Sequence, residues 1–323
     1  MAKFILARLM KAALILVCIA ILNFLLIQAA PGDPAQVMAG EAGETDAVFL
    51  QQLRERFGLD QPLYVQLGRY LGTILQFDLG YSYRQQVPVA DLIFERLPAT
   101  LLLSLSAFVI SLGLGTLAGV LASARQGRWQ DSVISTIALI FYATPLFWLA
   151  LMAVLLFSVQ LGWLPAFGYE TVGADHTGLR RMEDIAAHLV LPAMTLGLFF
   201  MAVYARMTRA SMLEVSRLDF VKTAQAKGLR PALIQRRHVL RNALLPVVTL
   251  AGLQAGQLVG GAVLIETVFA WPGIGRLMFD ALTQRDYNLL LGVFLVSAAM
   301  VLLFNLITDI LYRLVDPRIR VTA

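Results

Sequence analysis

The chain has 323 residues, of which 59% are hydrophobic and 15% charged, with a net charge of +5; an ordinary soluble domain carries about 25% charged residues. That excludes a soluble globule, because six uncharged runs are each long enough to cross a hydrocarbon core that needs about 20 residues of helix. The single cysteine, Cys18, lies in the first run and can form no internal disulfide.

In chain order the uncharged runs are residues 12–32, 97–124, 132–169, 185–205, 242–265 and 287–308. The first follows a basic start and ends near Gln28, Ala29 and Ala30, the pattern of a cleaved signal peptide. Its 21 residues exceed a signal core, and Pro31 follows where cleavage would need freedom, so a first membrane helix is expected. Residues 33–96 form a charged outer segment with helical signals of its own. Asp46 can cap a helix stopped by Gly58, and Pro62 can open another carrying Leu63, Leu67, Tyr70, Leu71 and Ile74. Such a piece is too small to bury a core alone and is expected on the outer membrane surface or against a partner. Within the third run, Trp163, Pro165 and Gly168 read as an interfacial turn after a helix ending near Leu161.

Cations fix the orientation, since Lys and Arg near short loops stay on the cytoplasmic side during insertion. With the N-terminus inside, 17 of the 26 Lys and Arg fall on cytoplasmic segments and 16 of the 21 acidic residues fall outside. The expected fold is therefore an all-α integral membrane protein of six transmembrane helices with both termini in the cytoplasm. The basic balance reads as topology and not as a nucleic-acid surface. The expected division is 1–32 for the first helix, 33–96 for the outer segment, and 97–323 for a five-helix core with a cytoplasmic loop at 206–241 and an outer loop at 266–286.

The cytoplasmic loop carries helix punctuation in "DFVKTAQAKGL": Asp219 as an N-cap, Lys227 near the negative end of the dipole, and Gly228 at C′. Pro231 then opens a second helix. A helix of two turns is unstable alone, so something must pack on it: its own bundle, the lipid surface or a partner. Phe220, Val221 and Ala224 are expected on one face, with Lys222 and Gln225 elsewhere.

In the membrane, Ser111, Gly115 and Gly119, and again Gly252, Gly256 and Gly260, recur every four residues and allow close approach of neighbouring backbones. Pro145, Pro192 and Pro246 can kink their helices. Gln254 and Gln257, one turn apart, could face a polar pathway or hydrogen-bond a neighbouring helix. Asp309, with Arg313 a turn onward, reads as a local ion pair or snorkelled charge. His176, His188 and His238 are too scattered for a metal or catalytic site. No phosphate-binding loop occurs, so any ATP must be bound elsewhere.

The segments "ARMTRASMLEV" from Ala205, "DFVKTAQAKGL" from Asp219 and "HVLRNALLP" ending at Pro246 resemble the signature of permease subunits of binding-protein-dependent ABC importers. "PGDP" at 31–34 and "FAWPGIGRLMFDAL" from Phe269 are similar to the peptide and nickel subfamily, dipeptide permease B type. The family's Glu-Ala-Ala, three residues, Gly pattern falls on Lys222, Thr223, Ala224 and Gly228; only the last two keep the general residues.

The resemblance implies a type I permease fold in the bacterial cytoplasmic (inner) membrane and a role as half of a translocation pathway for dipeptides or oligopeptides. It implies no enzyme activity and no bound cofactor in this chain, with ATP and Mg held by two partner ATPase subunits. Further implied partners are a second permease, an external substrate-binding protein and membrane lipid, but no nucleic acid. Asp219, Phe220, Val221, Lys222, Thr223, Ala224, Lys227 and Gly228 would form a coupling helix, whose ordering would come from the ATPase gripping it. Nickel chelates or glutathione-like peptides are alternative cargoes. A secondary carrier is disfavoured by the sparse intramembrane charge, and an intramembrane enzyme by the lack of a nucleophile and base pair.

Overall fold

The structure is a computed structural model that describes residues 2–29, 51 and 61–315, with the side chains of 2–4, 27, 29, 253, 255–261 and 311–315 outside the description. The helix foreseen between Asp46 and Gly58 therefore lies outside the described residues, as does the side chain of Gln257. Two compact units emerge from the packing: residues 1–99 with 273–303, and residues 100–272 with 304–323.

Helix α1 spans Ala2–Ala29, and α2 spans Leu63–Leu75 directly after Pro62. A two-stranded antiparallel ribbon follows, β1 at Tyr81–Ser82 and β2 at Val87–Pro88, with Ser82 opposite Val87. This ribbon is too short to leave a periodic signal in the sequence. Helix α3, Val89–Ala124, begins well before the uncharged run and takes Asp91, Glu95 and Arg96 into its first turns.

The third run breaks where the sequence places Pro145. Helix α4 spans Trp129–Ala143, α5 spans Leu146–Ala153 and continues with wider, π-type winding over Val154–Gln160, and the chain bends by 103° between the two. Proline removes a backbone donor and pushes the preceding residue out of the helical region, and Thr144 indeed has ψ 134. Pro192 and Pro246, in contrast, lie inside uninterrupted helices, α6 at Leu179–Val215 and the later α9 at Leu240–Val268. Between these two come α7, Asp219–Ala226, and α8, a single turn at Pro231–Leu233 that continues with π-type winding over Ile234–Val239. Helix α10, Ile274–Gln284, occupies the outer stretch expected to be a loop, and α11 runs Tyr287–Val315.

Among the described residues four helices are long and apolar enough to cross a membrane, and the bent pair makes a fifth if it is one span. The run at 242–265 falls in α9, part of which lies outside the described side chains.

In the first unit α1 is tied to its neighbours by polar contacts. Asn23 Nδ2 donates to the Leu291 carbonyl at 3.2 Å, and Gln28 Nε2 donates to Gln66 Oε1 at 2.8 Å. Buried Ser82 donates to buried Asp286, whose second oxygen accepts the Leu289 N–H at 3.0 Å and so caps α11.

In the second unit the glycine pattern of α3 has a direct counterpart. A Cβ on Gly115 would meet Tyr204 Cβ at 2.5 Å and the Met201 carbonyl at 2.7 Å; one on Gly119 would meet Thr208 Cβ at 2.5 Å and the Ala205 carbonyl at 2.6 Å. Backbones of α3 and α6 are therefore in contact, as small residues permit in lipid. Tyr204, Val247 and Ala251 close a core between α6 and α9, and Ala138 packs on Met201, Ala202 and Ala205. Glu266, fully buried, accepts from Thr100 Oγ1 at 2.6 Å.

Candidate coupling site

Helix α7 is short but not isolated. Val221, 2% exposed, and Ala224 are buried against Met212 of α6, Ile234 and Val239 of the wider turn, and Ala243 of α9. Burying a valine side chain contributes roughly 1.5–3 kcal/mol, which offsets the cost of nucleating two helical turns. The expectation that an ATPase must supply this packing is overturned: α6 and the segment after α7 form the seat.

Two further expectations are corrected. Asp219 is not the N-cap; that position is Leu218, and Asp219 is the first helical residue. Its carboxylate still meets the positive end of the helix, but it bonds Lys222 Nζ at 2.8 Å and not a backbone N–H. Phe220 does not join the buried face. It is 41% exposed, because the seat is only as wide as Val221 and Ala224.

Thr223 is exposed and its hydroxyl donates to the Asp219 carbonyl at 2.9 Å. Lys227 caps the C-terminus and Gly228 follows with φ +72, the left-handed conformation that a side chain resists. A Cβ there would meet nothing within 4 Å, so the demand for glycine is conformational and not steric. Arg217, Lys222, Lys227, Arg230, Arg236 and Arg237 are all exposed around the helix. The outward surface of α7 therefore presents one aromatic ring beside the exposed Asp219 and Thr223, in a setting where cations outnumber the single carboxylate of the helix.

One ion pair nearby escaped the sequence reading. Asp131, near the start of α4, accepts from Arg209 Nε and Nη2 at 2.7 Å each and from the Gly127 N–H at 3.2 Å. Nothing in the spacing of the sequence names Arg209 as its partner. A few residues up α6, Arg206 lies 5.0 Å over the Tyr142 ring.

In α9, Gln254 Oε1 is buried with no hydrogen-bond partner among the described residues. Asp309 is half-buried, and Arg313 lies outside the described side chains. No group of three His, Cys, Asp or Glu among the described residues could hold a metal ion.

The profile of the binding-protein-dependent transport system inner membrane component family matches residues 111–321, and that of the N-terminal part of such membrane components matches 1–105. The chain belongs to this family. It is accordingly a multi-pass permease of the bacterial inner membrane and the transmembrane subunit of an ABC importer. The permease is 40% identical to a dipeptide transport system permease of Alkalihalophilus pseudofirmus, over 99% of its own length and 100% of the relative. It is 43% identical to a di/tripeptide transport system permease of Pseudomonas aeruginosa, over 94% of each. A glutathione transport system permease of Escherichia coli is 40% identical over 99% of each chain. Among solved structures, the inward-facing MetNI methionine ABC transporter matches with a TM-score of 0.57 at 20% identity, covering 70% of the permease and 96% of that chain. An amino acid ABC transporter matches with a TM-score of 0.50 at 17% identity, over 69% of the permease and 94% of that chain. At such identity these likenesses concern the fold.

Proposed function

We propose that this permease forms one half of a translocation pathway for dipeptides and oligopeptides, worked by alternating access, with six crossings and both termini in the cytoplasm. The observation that carries the coupling role is the division of α7: Val221 and Ala224 hold it to its own chain, and Phe220 with its cationic surroundings is left outward. A helix seated in that way moves with α6 and α9, and so passes a push from below into the membrane bundle. The complementary partner surface is an apolar cleft rimmed by carboxylates. Two ATPase subunits that bind ATP and Mg would supply it, since this chain has no phosphate-binding loop. A second permease would complete the pathway, and an external binding protein would deliver the cargo.

Relatives named for dipeptide and di/tripeptide transport support the peptide cargo; the glutathione relative supports only the alternative of a glutathione-like peptide. Gln254, whose buried acceptor meets no partner among the described residues, supports a polar position on the pathway, shared with Gln257 one turn on. The residues at 33–96 would face the outside, and 206–241 the ATPases.

The test is uptake by a strain lacking its own peptide importers and carrying this permease with its companion subunits. Labelled dipeptide should accumulate only when the ATPase subunits are active. Accumulation that survives their inactivation would point to a secondary carrier. Reporter fusions at 175 and 227 should place these positions on opposite sides of the membrane.

A further inference from the structure

Helix α2 has one face accounted for and another left open. Gln66 is buried against α1 through its bond to Gln28, and the rings of Phe24 and Tyr70 lie 5.9 Å apart. These contacts step four residues forward on α2 and four backward on α1. The helices are therefore antiparallel, and each residue of α2 beyond Gln66 lies further back along α1, by about 1.5 Å. The apolar span of α1 is Ile5–Leu26. Tyr70 thus already lies beside that span, and the last turn of α2 lies deeper.

The open face is apolar. Leu63 is 60%, Tyr64 77% and Leu75 80% exposed, and helical spacing sets Leu67 and Leu71 between them. Arg69, Thr73 and Gln76 are also exposed, on the other flank. At the same depth α1 exposes Leu22, Leu25 and Leu26.

A second observation comes from the end of α2. The Asp78 N–H reaches the Thr73 carbonyl at 3.0 Å and the Phe77 N–H reaches that of Ile74 at 2.9 Å, the Schellman pattern in which C′ is left-handed. Here C′ is Phe77, with φ 60, where glycine is the unstrained choice, and its ring is 86% exposed. A bulky ring held in a costly conformation and left open by the described residues implies a surrounding that favours it.

We propose that α2 is a wedge seated in the outer leaflet, with Tyr64, Leu75 and Phe77 against lipid acyl chains and Arg69 and Gln76 on its wet flank. Lipid is the occupant because the open face continues, at the same depth, the exposed surface of a membrane-spanning helix. The wedge would brace the outer end of α1 against the bilayer.

The test uses the assembled importer in nanodiscs, with Cys18→Ser as background and a nitroxide attached in turn at Tyr64→Cys, Arg69→Cys, Leu75→Cys and Gln76→Cys. Power saturation should give a several-fold higher ratio of oxygen to nickel-chelate accessibility at 64 and 75 than at 69 and 76, with 75 the deeper. Nickel access at 75 would overturn the proposal, because that position would be in water. Exclusion of both reagents at 64 and 75 would also overturn it, because protein, either a partner subunit or residues 30–60 of this chain, would cover the face. Adding Phe77→Gly removes the left-handed strain yet should shift the label at 75 toward nickel access; an unchanged ratio would remove the anchoring role of Phe77.

Discussion

Arg209 holds Asp131 with two nitrogens at the same 2.7 Å, and so joins the start of α4 to the C-terminal part of α6. The carboxylate is 7% exposed and the guanidinium 34%, so the pair stands between an exposed and a buried ion pair. Replacing Asp131→Asn should lower stability by about 1–2 kcal/mol, more than an exposed pair would cost and less than a buried one. The exchange Asp131→Arg with Arg209→Asp should recover part of that loss. Thermal unfolding of the purified permease in detergent measures both.

The two faces of α7 predict opposite phenotypes. Val221→Ala should cost roughly 1–2 kcal/mol, the lost transfer of a buried side chain, and should raise proteolysis between α6 and α9. Phe220→Ala should leave protease resistance unchanged while ATPase subunits no longer co-purify at the wild-type ratio. Equal loss of both properties in both variants would mean that the faces are not separable.

Gly228 has φ +72 and open space around it. Asn tolerates the left-handed region and a β-branched residue does not. Gly228→Asn should therefore retain stimulation of ATPase activity by loaded binding protein, and Gly228→Val should lose most of it. If the Val variant is stimulated normally, the helix end has no part in coupling.

Gly119 meets the α6 backbone closely, and an added Cβ would lie 2.6 Å from the Ala205 carbonyl. Backbone cannot step aside as a flexible side chain can, so Gly119→Val should drive α3 from α6. The expected outcome is a drop in membrane-inserted, detergent-stable permease of at least several-fold, seen by fluorescence-detected size exclusion. Gly113→Val, on the same helix where a Cβ meets nothing within 4 Å, should have little effect.

Hydrophobic runs and the helix punctuation between Asp219 and Gly228 made a helical membrane protein with a short helix after its α6 span legible in the amino-acid order alone. Those features depend on local spacing and on the transfer of side chains between water and lipid, which a linear sequence records. Which face of α7 is buried, that Arg209 is the partner of Asp131, and that Gly115 and Gly119 meet α6 were decided by residues far apart in the chain. Such contacts depend on helix rotation and register, which three-dimensional packing alone sets. Even Asp219 shows the division: the start of a helix at this position was readable, but not that Leu218 takes the cap and leaves the Asp219 carboxylate to Lys222.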